Sequence, residues 1–404
     1  MTGGLARAIR GGLALACAGL VALTAGCGTQ SAATVTGTAP PPVAVPLSTS
    51  LVTAQGTWAI AVMGGSAASD NDFWQLFVRR TDVGPWSLVT PEGVADNGGL
   101  VAAGASASLV VGFRPSQNLT YSPLATSTDA GRNWSPGLLD ADLASTPGAI
   151  AVSPSGRTLA LLRDGTIWAA PTAGAAAAGQ WAPLITRSAL AASAPGRSCG
   201  LAGVTAVSFG PNNDPMAAGS CGRPGAVGVF TDASGTWRSA GLALPGAFGR
   251  DRVQVLGLAA LPISGPISGA GGNTALLLAG NSLLAAWRNG TRWTVSAPVA
   301  AGTVRALGFG ADGSAWVLLG ASQGGADRAE VIGGAGGSWR ALPPVPAGTQ
   351  VLVPRGTATL APGAGGSYDA LAVAGSRLTV WRLAQGAWAK AQLITVPIEY
   401  GSSG

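Results

Sequence analysis

The chain has 404 residues, only 10% of them charged, with 63 glycines and a net charge of +6. Its 23 basic residues, with Lys390 the one lysine, form no run and no basic helix, which argues against a nucleic-acid partner, and the arginine excess reads as genome composition bias. There is no histidine, which removes Ser-His-Asp and Cys-His catalysis and the commonest transition-metal ligand.

The first 26 residues read as an export signal. Arg7 and Arg10 supply the positive start, 11–22 the apolar stretch, and small residues lead into Cys27. Leu23-Thr24-Ala25-Gly26-Cys27 resembles a bacterial lipobox, with Thr24 where Leu or Val is commoner. That resemblance implies cleavage before Cys27, lipidation of its sulfur, and anchoring on the outer face of the cytoplasmic membrane. Residues 27–48, rich in Pro, Thr and Ser, read as a flexible tether. Past residue 26 no apolar run approaches the roughly 20 residues needed to cross a bilayer; the longest candidate, 274–287, is broken by Gly280 and Asn281.

Seven tryptophans then recur at steps of 46 to 56 residues: Trp86, Trp134, Trp181, Trp237, Trp293, Trp339 and Trp388. Each follows a glycine two or three positions earlier. Between them lie short apolar runs separated by turn residues. The unit ending near Trp237 is the clearest: strands at 203–209, 216–220 and 226–231, with Trp237 opening a fourth. Similar sets fall at 148–153, 157–162 and 166–170, and at 303–309, 314–319 and 328–333. The first unit is the least regular, with strands near 57–63 and 73–79. This period and order predict an all-β fold, a seven-bladed β-propeller of four-stranded antiparallel blades over 49–400, followed by a flexible tail, 401–404. The last strand, near 389–398, either completes the last blade or closes the ring with the first. The seven periodic tryptophans are expected to pack between blades, which leaves Trp58, Trp74 and Trp316 as candidates for surface recognition. Cys199 and Cys221, 22 residues apart in an exported chain, are expected to form a structural disulfide.

Ser127-Thr128-Asp129-Ala130-Gly131-Arg132-Asn133-Trp134 resembles the Asp-box, or bacterial neuraminidase repeat, here carried on an actinobacterial-type lipoprotein. Thr81–Trp86 and Thr231–Trp237 are degenerate copies. The resemblance implies a sialidase-like propeller in which Asp129 caps a turn, Ser127 and Gly131 shape it, and Trp134 packs below. Sialidases, other glycosidases, sortilin-type receptors and photosystem assembly propellers share the motif, so it does not select an activity. A sialidase needs an arginine triad, an acid/base Asp and a Tyr–Glu pair. The tyrosines here are Tyr121, Tyr368 and Tyr400, the glutamates Glu92, Glu330 and Glu399, and Phe113-Arg114-Pro115 lacks the Ile of the family's arginine motif. Other glycosidases need two carboxylates at a set separation, and Asp70, Asp72, Asp96, Asp140 and Asp142 read as loop residues. Asp70-Asn71-Asp72 and Asn212-Asn213-Asp214 lack the full spacing of a calcium loop. The sequence therefore designates no catalytic, cofactor-binding or metal-binding residue. It points to a non-enzymatic binding or scaffold module at the cell surface, with a protein or glycan partner; the alternative is a sialidase-like glycoside hydrolase.

Overall fold

The computed structural model describes residues 48–64, 72–91, 99–105, 108–114, 122–139, 148–260, 272–310, 312–320, 328–334, 336–344, 358–363 and 366–397. The signal peptide, Cys27, the tether as far as residue 47 and the 401–404 tail lie outside the described residues, as do Asp70, Glu92, Asp96, Tyr121, Asp140, Asp142, Glu399 and Tyr400.

The described strands follow one another in antiparallel meanders of four. The first is β1–β4 (Ser48–Thr53, Gly56–Gly64, Asp72–Arg79, Trp86–Leu88), the next β5–β8 (Gly99–Ala105, Ser108–Arg114, Ser122–Ser127, Ser135–Leu139). Then come β9–β12 (Ala149–Val152, Thr158–Leu161, Ile167–Ala170, Ala182–Ile185) and β13–β16 (Leu201–Phe209, Pro215–Cys221, Gly228–Ala233, Thr236–Ser239). β17–β20 (Val253–Ala260, Gly272–Ala279, Ser282–Asn289, Arg292–Val295) precede a two-residue strand, β21 (Val299–Ala300), that pairs with β19. The chain finishes with β22–β25 (Thr303–Phe309, Ala315–Gly320, Arg328–Ile332, Trp339–Ala341) and β26–β29 (Ala358–Pro362, Tyr368–Ala374, Arg377–Ala384, Ala387–Thr395). Each periodic tryptophan stands at or just before the fourth strand of its meander.

Burial grades along each meander. The second strand is buried on both faces, as in β2, β10, β14 and β18, whereas the fourth alternates or is exposed, as in β20 and β29. A strand between two neighbouring sheets loses both faces to packing, so near-continuous apolar runs are the sequence pattern that suits it. The apolar clusters show where that packing occurs. One joins Trp58, Leu76 and Val78 to Leu109 and Val111; another joins Val255 and Leu277 to Met216 and Val229. Further clusters unite the second with the third meander, the third with the fourth, the fifth with the sixth and the sixth with the seventh. One cluster brings Ala59, Phe77 and Trp86 of the first meander against Leu371, Leu378 and Val380 of the last.

The choice left open for the last strand is resolved here. β29 pairs with β28 along its whole length and completes its own meander. The first and last meanders meet through side chains, a few polar contacts and the Gly64 N–H to Gly375 O bond, while β1 also runs in a parallel register with β22 of the sixth meander, Ser48 opposite Leu307 and Ser50 opposite Gly308. β1 begins at Ser48, so the last residue assigned to the tether belongs to the first sheet.

Helical insertions set the β11–β13 region apart. α1 (Ala173–Ala177) is capped by Thr172, α2 (Arg187–Ala192) by Thr186, and α3 (Ala194–Cys199) by Ser193, each hydroxyl accepting from a first-turn N–H. Gly200, left-handed at φ 65°, ends α3. Cys199 at that end is disulfide-bonded to Cys221 at the end of β14, their Cα atoms 5.1 Å apart, both side chains buried. The bridge fixes the insertion to the strand edge.

Candidate functional site

The Asp129 turn is a closed local structure. Asp129 Oδ1 accepts the backbone N–H groups of Asn133 (2.9 Å) and Arg132 (3.1 Å), and Ser127 Oγ accepts that of Gly131 (2.9 Å). Asn133 Nδ2 reaches Asp129 Oδ2 at 2.6 Å. The Asn133 backbone bond, then its side chain, hold the Asp129 pKa down to about 2. Gly131 takes φ 73°, where a Cβ would press on Val89 and the Trp58 and Trp134 rings. Trp134 packs against the cluster below. The partial copies do not repeat the geometry: Asp232 lies in β15, opposite Trp237, with Oδ1 unpaired, and the 81–84 turn closes through Gly84 N–H to Thr81 O.

The periodic tryptophans act across the sheets. Trp293 donates its indole N–H to Ala240 O (2.8 Å), Trp339 to Ser296 Oγ (3.2 Å) and Trp388 to Pro343 O (2.9 Å), each acceptor lying just past the fourth strand of the preceding meander. The expectation for Trp58, Trp74 and Trp316 is corrected. All three are buried, at 0%, 6% and 1% exposure, and Trp58 and Trp316 donate to Thr53 Oγ1 and Ser50 Oγ. They stand in second or third strands of their meanders, β2, β3 and β23, where both faces are covered, so these three are more deeply buried than most of the periodic tryptophans.

Trp86 marks a buried charge cluster between the first and last meanders. Its indole N–H donates to Asp369 Oδ2 at 2.8 Å. Asp369 also accepts from Arg79 Nη1 at 2.5 Å and from both sides of the Arg382 fork at 2.8 and 3.0 Å. The Arg79 guanidinium lies 5.3 Å from the Trp86 ring centroid. Gln392 closes the arrangement, accepting the Trp86 backbone N–H (2.8 Å) and donating to its carbonyl (2.9 Å). Burial works to raise the Asp369 pKa, but the Arg382 and Trp86 hydrogen bonds and the two arginine charges outweigh it and hold the carboxyl below its ordinary value. No sequence spacing links Arg79 to Asp369, which is why the cluster was not foreseen.

Directly beside it opens a cavity of about 790 Å³. Arg79 Nη2 donates to Pro362 O (2.8 Å), and Pro362 and Thr57 belong to the lining. Most of the rest comes from turn residues, Gly310, Asp312 and Ser314 after β22, Gly333 and Ser338 after β24, and Asp82 before β4, joined by Val52, Val331 and Arg340 from strands. Asp312 Oδ1 accepts the Ser314 N–H at 2.9 Å. Tyr368 is 7% exposed, and burial, reinforced by the Asp312 charge and opposed by Arg340, raises its pKa. Tyr368 was among the sequence candidates; Asp312 and Arg340 were not. Glu330 does not join Tyr368 but pairs with Arg328 at 3.0 Å. Asn212–Asp214 forms the tight turn between β13 and β14, closed by Gly210 N–H to Asp214 O. Among the described residues no three acidic or cysteine side chains gather as a metal site.

The chain is similar in structure to a candidate 6-phosphogluconolactonase from Bacteroides uniformis, at 13% identity and a TM-score of 0.50, over 83% of this chain and 96% of that one. It is equally similar to a protein from Lactobacillus plantarum, at 13% identity and 0.50, over 84% and 96%. These likenesses show the fold alone: a β-propeller. No protein-family model and no curated protein matches the sequence.

Proposed function

We propose that this propeller is a seven-bladed, non-enzymatic binding module, exported and lipid-anchored through Cys27, that presents its surface to a protein or glycan at the outer face of the cytoplasmic membrane. The seven four-stranded meanders and the cluster joining last to first support the blade count. The Asp129 turn supports an Asp-box, sialidase-like descent. The observation that carries the non-enzymatic reading is the fate of the shifted carboxylates. Among the described residues the carboxylates with shifted pKa values, Asp129 and Asp369, are both shifted downward and both committed to architecture, one to a turn and one to the blade seam. A glycosidase needs a carboxyl raised to act as acid.

The second reading, a sialidase-like hydrolase, draws on Tyr368 standing in a cavity with Asp312 and Arg340. Against it, the upward shift of Tyr368 keeps the hydroxyl protonated and a weak nucleophile. A panel of fluorogenic glycosides separates the two: turnover that disappears in Tyr368→Phe or Asp312→Asn would replace the binding reading. For the anchor, wild type is expected in the detergent phase and Cys27→Ser in the aqueous phase; both in the aqueous phase removes the lipid anchor.

A further inference from the structure

We propose that the cavity at the meeting of the first, sixth and seventh meanders is a binding site for a short neutral saccharide. The inference rests on the binding-module reading and assigns the ligand class of one site within it. Its volume, about 790 Å³, falls within the range of small-ligand sites, roughly 300–1,000 Å³. The lining settles the chemistry. One cation, Arg340, faces two carboxylates, Asp82 and Asp312, so a phosphate or polyanion meets net repulsion. Asp312 already caps its own turn, so it and Asp82 do not make a cation cage. The walls are mostly turn residues, and the two edge strands that reach the cavity bring only Trp339 and Arg340 of β25 and Pro362 of β26, too short a backbone ladder to take an extended peptide. What remains is an alternation of hydroxyls with apolar faces, Ser314, Ser338 and Tyr368 beside Val331 and Pro362. A sugar ring presents the same alternation, with hydroxyls at its rim and C–H groups on its faces. Arg340 and Asp312 supply a forked donor and an acceptor for such hydroxyls.

The site is also held open. A Cβ built on Gly333 meets no atom within 4 Å, and this glycine does not need a positive φ. A large side chain placed there fills the cavity without straining the backbone. Beneath, Tyr368 is fixed by packing with Leu360, Leu383 and Trp316, so one wall is preorganised.

The full-length protein, purified in detergent, is applied to an array of neutral and acidic glycans and short peptides, and the strongest hit is titrated by calorimetry against wild type, Gly333→Phe and Arg340→Ala. A neutral oligosaccharide is expected to bind wild type, at least tenfold more weakly to Gly333→Phe and several-fold more weakly to Arg340→Ala, with unchanged thermal unfolding in both variants. No neutral glycan bound, or affinity indifferent to Gly333→Phe, overturns the site. A peptide or acidic glycan that binds instead and is blocked by Gly333→Phe overturns the ligand class and leaves the binding-module reading standing. NMR of the bound sugar separates the other failure: cleavage of a saccharide that Gly333→Phe excludes ends the non-enzymatic reading and leaves the site in place.

Discussion

Asp369 shows how much one residue can be asked to hold. Its carboxylate and the Arg79 guanidinium are each 1% exposed, and two arginines and an indole converge on it. Removing one member of a buried pair leaves the other charge without its partner, a cost of about 3–5 kcal/mol. Asp369→Ala is therefore expected to lower stability by that amount in denaturant unfolding; a change below about 1 kcal/mol would mean that water replaces the carboxylate without loss. The same group sets an acid limit. Its folded pKa lies below the unfolded carboxylate value of about 3.9, so its contribution is complete above that value and fades as pH falls through the folded pKa. Followed by tryptophan fluorescence, wild type should lose stability more steeply below about pH 4 than Asp369→Asn; parallel curves would contradict the assignment.

At the scale of the element, the fourth strand is the weak member of each meander. It alternates or is exposed, and in the fifth, sixth and seventh meanders its tryptophan reaches back to the preceding one. Trp293 illustrates this, with its ring packed beside Val295 and its N–H on Ala240 O. Trp293→Phe keeps one aromatic ring, removes the donor and trims the packing on the cluster, and is expected to cost at least about 1 kcal/mol. An unchanged unfolding midpoint would show that neither the indole N–H nor its extra ring contributes. The glycine before each tryptophan was legible because a tight turn needs it. That Trp58, Trp74 and Trp316 belong to the interior was not, because a tryptophan's residue type says nothing about whether both faces of its strand are covered.

At the scale of the molecule, closure depends on side chains. The last strand stays in its own meander, β1 adds only a short parallel register to β22, and the seam between first and last meanders is made by the Asp369 cluster and by Phe77 and Trp86 against Leu371 and Val380. A propeller closed by a strand shared between its ends would lose that strand's ladder if the chain were reconnected. Here a circular permutant that joins 397 to 48 through about ten residues, the order of length of the other connections between meanders, and opens at the exposed Gly290–Thr291 turn should keep its fold. Its melting temperature should fall by no more than a few degrees, and its circular dichroism should match wild type; loss of the folded signal would reveal a closure contact carried by the native termini.

The sequence by itself determined the repeat, the strand order within each unit, the turn chemistry around Asp129 and the pairing of Cys199 with Cys221. All of these depend on residues close in the chain or on a period that recurs along it. Only the tertiary structure decided that the last strand stays home, that Arg79 meets Asp369 across 290 positions, and that Asp312, Arg340 and Tyr368 share a cavity. Those are contacts between meanders, and their partners are chosen by how the sheets stack around one another, a choice that no local spacing encodes.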